Sequence, residues 1–562
     1  MGRARARRLN LIALVVLLVA LAAGLGLRVH AQQATPNVQH DEAWSYASAA
    51  GRLGPFIAAM GGDQTTSLTG RWVPASQWQR FWTSTGLSDV RHIATGLSSN
   101  DVHPPLYFGL LHGWLLVTGM HIWAGRALNL VFATFTILAI FGLARALRFQ
   151  RLEGALVALV WAVSPAVVSI SSIARQYDLV GLTTVLFVWG LVDAVRARGR
   201  ERGDGGHDDG LERARGDARA GAPEGARWPY LLWLAAATAA ALLTHYQAVL
   251  LVAGAVIYVL AGPFLPARVA RRGSWWPPLL SLAAGTLIAA ALAPGWRSAF
   301  GHERSKLDSF SGRVLSEKVA AIGDTLARFV GLPAATMGIV VAAVAVLLLV
   351  LLAVPRTRRA LTQRVRAARP GWWTVLFFLL VTAGGICLQN LLFLSMPPRI
   401  SARYLAMAWP FVAFLPLLLF GLWPRARYAL TAGLCLLVLL PATIAAPLLV
   451  GSADRLPLGR LADAHAVLID NVGVGELPRF LWSVPPGARV FAGTQEQLLA
   501  DKTAWTTAPL GDRAYYVSIL RSGGVVWRRN RILANLRKTH DVTLLGTNGM
   551  AEVYAVTPKA GQ

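Results

Sequence analysis

The sequence predicts a polytopic α-helical membrane protein of about 11 transmembrane helices, with a small α/β domain at its C-terminal end. Three observations predict it. Apolar runs of spanning length recur through the first 450 or so residues of a chain of 562 that is 55% hydrophobic, with a mean hydropathy of +0.49. Arginines gather in the short connectors between those runs. Beyond residue 452 the spanning runs stop, and short strand-like runs alternate with helix-like ones.

The apolar runs lie near 10–28, 124–144, 152–173, 178–195, 229–245, 247–264, 276–294, 335–354, 371–392, 403–422 and 428–449. The first follows Arg3, Arg5, Arg7 and Arg8 as a secretory signal would, and Val29-His30-Ala31 resembles a cleavage site. The run is longer than a signal core and many spans follow, so an uncleaved first helix is expected. A further segment, 105–120, is short and interrupted by His112, Gly113 and Gly119. If it does not span, the basic segments Arg145–Arg151, Arg196–Arg227, Arg268–Arg272, Arg356–Arg369 and Arg425–Arg427 all fall on the cytoplasmic side. If it does, every later one moves outside. It is therefore read as an amphipathic helix along the outer interface.

That topology divides the chain into a transmembrane domain, 1–451, and an extracytoplasmic α/β domain, 452–562. Outer loops are expected at 29–123 and 295–334, and a disordered cytoplasmic linker at 196–227, rich in Arg, Gly, Asp and Glu. In the C-terminal domain strands are expected at Arg489–Ala492, Tyr515–Leu520, Val542–Leu545 and Glu552–Val556, and helices near 458–470, 475–483 and 526–538. Gly546-Thr547-Asn548-Gly549 reads as a hairpin turn.

The net charge of +26 does not indicate nucleic acid, because no basic stripe is interleaved with exposed aromatics. Cys387 and Cys435 both lie in apolar runs, which leaves no disulfide framework or cysteine metal site. There is no glycine-rich nucleotide loop. No internal repeat and no pair of broken helices at matching positions is evident, which weakens a transporter reading.

The informative polar residues collect at the predicted outer ends of the helices. They are His40-Asp41-Glu42 after the first span, Asp101-Val102-His103-Pro104-Pro105-Leu106-Tyr107, Arg175-Gln176-Tyr177-Asp178, Thr244-His245-Tyr246-Gln247, His302-Glu303-Arg304-Ser305-Lys306, and Arg399 with Ser401-Ala402-Arg403-Tyr404. Adjacent carboxylates at a membrane boundary are expensive to desolvate, so chemistry is their first explanation.

In this ordered set the chain resembles glycosyltransferase family 39 of the GT-C fold, which includes protein O-mannosyltransferases and is similar to the lipid A aminoarabinose transferases. The residues that carry the resemblance are Asp41-Glu42, His103-Pro104-Pro105-Leu106-Tyr107, Ala174–Tyr177, Thr244–Tyr246 and Arg403-Tyr404. It covers roughly residues 1–450, and the C-terminal domain bears only a loose likeness to extracytoplasmic domains of such enzymes. The resemblance implies transfer of a sugar from a polyprenyl-phosphate carrier to an acceptor hydroxyl or phosphate on a protein, glycolipid or polysaccharide. The setting would be the outer face of a bacterial plasma membrane.

Glycosyl transfer to a hydroxyl needs a base, usually a carboxylate. Asp41, at the family's first acidic position, is the candidate, and an ion pair bracing the outer loop is the competing reading. Glu42 is left between holding acceptor or sugar, orienting a neighbouring cation, and the same structural ion pair. A lipid phosphate gains charge as it leaves, and arginine's forked donors suit it. Arg175 and Arg403 are the candidates, with Tyr177 and Tyr404 beside them, and snorkelling is the alternative for both arginines. His245 and Tyr246 are candidate hydrogen-bond donors to phosphate or sugar. Arg304 or Lys306 could complete the site from a loop, His103 could shape it, and Asp101 could brace His103. Arg126 reads as an interfacial anchor, and Trp72, Trp78 and Trp82 as an aromatic belt or sugar-stacking surface. No metal spacing is evident, though a divalent cation held partly by donor phosphate fits the chemistry. The competing functions are a lipid-linked-sugar flippase or transporter, with polar residues in both halves of the membrane, and a noncatalytic scaffold in which Asp41 is dispensable.

Overall fold

The computed structural model describes residues 2–61, 67–83, 86, 90–101, 103–196, 228–261, 275–293, 295, 370–388, 402–421, 426–445, 456–470, 476–500, 510, 513–520, 526–548 and 551–559. Outside the described residues lie the linker from 197 to 227, the loop from 296 with Arg304 and Lys306, the expected span 335–354, and Arg399.

Among the described residues, five helices are long and apolar enough to cross a membrane: Ala4–Gln33, Ile122–Ala146, Tyr177–Arg196, Gly371–Leu388 and Arg427–Ala445. A sixth candidate is the bent pair Arg151–Ala162 and Pro165–Ser171. The runs expected at 229–245, 247–264 and 276–294 form shorter helices, Trp228–Thr244, Ala248–Ala261 and Trp276–Leu292. The run at 403–422 is broken into a 3-10 turn, Ala402–Leu405, and two short helices, Trp409–Val412 and Leu415–Phe420. The helices therefore form a multi-pass membrane protein, and among the described residues several of the expected spans are short or broken.

The chain divides into two compact units. The first comprises residues 1–29, 129–171 and 176–444. Its helices pack closely through small residues: a Cβ on Gly285 would lie 2.3 Å from the carbonyl oxygen of Ala235, so only glycine permits that approach. The bent pair turns by 60° ahead of Pro165, where proline cannot continue the ladder. The carbonyls released there are taken by side chains. Thr443 donates to Val163 at 2.6 Å, and Arg28 Nη1 donates to Ala162 at 3.0 Å. Side-chain donors are how a membrane interior tolerates a helix break. Arg28 also donates through Nε to Ser171 Oγ at 3.0 Å, and that hydroxyl reaches Asp178 Oδ1 at 2.8 Å.

The second unit comprises residues 30–128, 172–175 and 445–562. Residues 30–128 and the C-terminal segment fall in one unit. Its six-stranded sheet has the order β1-β3-β2-β4-β6-β5, where β1 is Trp72–Pro74, β2 Ala466–Asp470, β3 Arg489–Gly493, β4 Ala514–Ile519, β5 His540–Thr547 and β6 Ala551–Pro558. β2 runs parallel to β3 and β4, whereas β1 pairs antiparallel with β3, Trp72 opposite Phe491. β5 and β6 form the hairpin. The helix Val526–Thr539 buries Ile532, Leu533 and Leu536 in the core with Leu468, Phe491 and Tyr516.

Two sequence readings change here. The helix expected near 458–470 is a 3-10 turn, Leu458–Asp463, followed by β2. Ala466-Val467-Leu468-Ile469 is buried throughout, and a central parallel strand shows no alternation to separate it from a buried helix. The first-loop tryptophans form neither a belt nor an open platform. Trp78 and Trp82 are buried with Phe56 and Phe81, and Trp72 packs edge-on to Phe491.

Candidate functional site

Asp41 and Glu42 occupy the first turn of the helix His40–Ala49, where the helix dipole favours negative charge. Their environments are opposite. Asp41 is half-buried, whereas Glu42 is wholly buried. The Glu42 carboxylate accepts from Arg126 Nε and Nη2, both at 2.7 Å, from the Ala174 amide at 2.8 Å and from the Gln39 amide at 2.9 Å. A carboxylate has about four acceptor sites, and all are used.

Arg126 is equally saturated. Its remaining N–H groups donate to the carbonyls of Thr35 at 2.6 Å, Asn37 at 2.9 Å and Gln32 at 3.3 Å. The residue read as an interfacial anchor is thus the buried counter-ion of the acidic pair. Of the readings left open for Glu42, this geometry fits the structural ion pair and the orienting of a cation. The bond to Ala174 also fixes the chain one residue before Arg175.

Arg175 lies in the non-helical segment that precedes the helix Tyr177–Arg196, and it is 6% exposed. Its Nη1 donates to Ser45 Oγ at a long 3.4 Å, and its Nε has no hydrogen-bond partner among the described residues. Ser45 follows Asp41 by one helical turn, so the two share a face, and Arg175 is brought to the face that carries Asp41. A buried guanidinium with an unengaged Nε–H can neutralise an anion placed against it.

Three further contacts shape this region. Tyr46 is buried; its hydroxyl donates to the Ile122 carbonyl at 2.9 Å and accepts from the Gly125 amide at 3.2 Å. Burial, reinforced by the Glu42 charge, pushes this phenol well up, so it stays neutral. A Cβ on Gly125 would lie 2.6 Å from Ala174 Cβ and 2.9 Å from the Tyr46 hydroxyl, so the absence of a side chain there lets the segment before Arg175 close in. His112, on the helix Leu106–Thr118, donates from Nδ1 to the Ala49 carbonyl at 2.8 Å and ties down the far end of the acidic helix. His103 Nδ1 and Asp101 Oδ1 are 2.7 Å apart, the expected bracing contact. The same helix exposes Leu110, Leu116 and Val117, apolar side chains suited to an interfacial position.

The remaining predicted residues belong to the first unit. Tyr177 is buried at the start of its helix. His245 accepts at Nδ1 from the Gln247 amide at 3.2 Å, so its proton is on Nε2; Tyr246 is half-buried in the same turn. Arg403 stacks over the Tyr404 ring at 5.2 Å in the 3-10 turn Ala402–Leu405. Within the second unit Glu42 holds the amide of Ala174, next to Arg175, and Arg175 reaches Ser45, one turn beyond Asp41. Sequence reasoning missed Arg126 as the partner of Glu42, and it missed Ser45, Tyr46 and Gly125. The available signals were an arginine one turn into an apolar run, and a serine one turn beyond Asp41. Among the described residues, no group of three or more His, Cys, Asp or Glu could hold a metal ion.

The sequence matches no family model and no curated protein. Among solved structures the chain is similar to ArnT from Cupriavidus metallidurans bound to undecaprenyl phosphate, with 12% identity, a TM-score of 0.49 and coverage of 99% of this chain and 98% of the other. Its apo state gives 13% identity and a TM-score of 0.47 over the same shares. The chain is also similar to the Archaeoglobus fulgidus oligosaccharyltransferase tethered with an acceptor peptide, at 12% identity and a TM-score of 0.43, covering 97% of this chain and 74% of that one. At these identities the likenesses concern the course of the chain and not its chemistry.

Proposed function

We propose that the protein is an integral-membrane glycosyltransferase that moves a sugar from a polyprenyl-phosphate carrier to an acceptor hydroxyl on the extracytoplasmic side of the membrane. The observation that carries this reading is the buried Arg175 guanidinium, beside the helix face that presents Asp41. Asp41 takes the proton of the acceptor hydroxyl as its oxygen bonds to the sugar's anomeric carbon. The bond from that carbon to the carrier phosphate breaks, and the electron pair leaves on the phosphate. Arg175, held through Ala174 by Glu42 and Arg126, stabilises the charge as it develops. Tyr177, His245, Tyr246, Arg403 and Tyr404 remain candidates for donor binding, with Asp101 and His103 as shaping residues.

The test is reconstitution of the full chain in liposomes with a panel of polyprenyl-phosphate sugars and hydroxyl acceptors, following release of polyprenyl phosphate. Wild type should turn over at least one donor, and Arg175→Ala should lower its kcat by about a hundredfold or more. Arg175→Lys should recover part of the loss, because the charge returns without the fork. Folded protein that turns over no donor would shift the reading to transport, and an unaffected Arg175→Ala would remove the proposed phosphate contact.

A further inference from the structure

The second unit contains a link between its C-terminal segment and the acidic helix that the reaction above does not use. Glu476 immediately precedes the short helix Leu477–Leu481 and makes no side-chain cap hydrogen bond to it, and its side chain is 6% exposed. Its Oε1 lies 3.2 Å from His40 Nδ1, and its Oε2 lies 3.9 Å from Arg479 Nη1. An ionised carboxylate only accepts, so the His40 Nδ1 carries the hydrogen. Two more contacts follow the same route. Asn37 Nδ2 donates to the Leu456 carbonyl at 3.1 Å, just before the helix, and the Tyr46 ring meets Trp482 at 5.0 Å, later along it.

Successive helical residues turn by about 100°, so His40 and Glu42 point about 200° apart around the axis. Glu42 is pinned to Arg126 on one side, and His40 is pinned to Glu476 on the other. Asp41 lies between the two pins. The helix has ten residues, and the first turn of so short a helix has little stability of its own.

We propose that Glu476 is a positioning residue for this enzyme. Through His40 it fixes the first turn of the helix and so the direction of the Asp41 carboxylate, which makes the C-terminal segment a working part of the active site. The inference rests on the function proposed above, because it takes Asp41 as the base.

The test uses the full chain in liposomes with whichever polyprenyl-phosphate sugar of the panel wild type turns over, and hydrogen exchange of the segment 38–50. Glu476→Gln should lower kcat by about tenfold to a hundredfold, the range expected of small misplacements, with the donor KM changed by less than about twofold. Glu476→Asp should lie between it and wild type. His40→Gln should match Glu476→Gln, and the double variant should be no worse than either alone, as for residues acting as one pair. The same variants should speed exchange in 38–50 while leaving the spanning helices unchanged. Unchanged kcat, losses that multiply in the double variant, or lowered kcat with unchanged exchange would each overturn the proposal. If folded wild type turns over no donor, the function proposed above fails, and the tether is judged on exchange alone: unchanged protection overturns it.

Discussion

Each unit of the molecule buries an acid with an arginine, and the two pairs are built differently. In the second unit Glu42 and Arg126 meet directly through two bonds of 2.7 Å, and every donor and acceptor of both is engaged. In the first unit Arg28 and Asp178 are joined through the Ser171 hydroxyl, and Arg28 Nη2 and Asp178 Oδ2 are buried without a hydrogen-bond partner among the described residues. A saturated pair has one geometry, so it can locate other groups. A bridged pair with polar atoms to spare holds helices together but defines its neighbours less sharply. The direct pair sits between the acidic helix and the segment carrying Arg175, where fixed geometry is needed. The bridged pair joins the first helix to the bent one, where Arg28 also satisfies a carbonyl released by the break.

The comparison can be broken from its strong side first. Arg126→Ala leaves Glu42 buried without its cation, and losing one partner of such a pair costs about 3–5 kcal/mol. Thermal unfolding in detergent should show the largest drop for this variant, together with loss of transfer. Ser171→Ala removes only the bridge. Hydrogen bonds to charged groups are worth about 1.5–3 kcal/mol, so unfolding should shift by a smaller amount. A Ser171→Ala loss equal to that of Arg126→Ala would erase the distinction between the pairs. Gly125→Ala sharpens it further. The added methyl meets Ala174 Cβ and the Tyr46 hydroxyl, and overpacking of this kind costs about 1–3 kcal/mol. Its effect on kcat should exceed its effect on stability, because the displaced segment carries Arg175. A stability loss with normal kcat would show that the segment's position does not matter to the reaction.

These pairs also show where the sequence was legible. The spanning helices follow from apolar runs, and the β5–β6 hairpin from strand patterning around a glycine-rich turn. Asp41 and Glu42 stand out because adjacent carboxylates beside an apolar run are unusual. Their difference did not, since it depends on Arg126, 84 residues from Glu42 in the chain, and on a backbone amide at Ala174. An arginine one turn into an apolar helix reads equally well as a snorkelling anchor. The joining of the first loop to the C-terminal segment was hidden for a similar reason. β1 is three residues long, and its pairing with β3 spans most of the chain. The linker, Arg304 and Lys306 lie outside the described residues, so those expectations stand as first read.

The central claim is that Asp41 is the base and Glu42 the buried support. Its most direct test is the transfer rate of Asp41→Asn in liposomes, with a donor and hydroxyl acceptor that wild type uses. Asparagine keeps the size and the first-turn position but cannot take the proton, so kcat should fall by about a hundredfold or more while the unfolding temperature stays near that of wild type. Transfer at the wild-type rate by a folded Asp41→Asn protein would contradict the account.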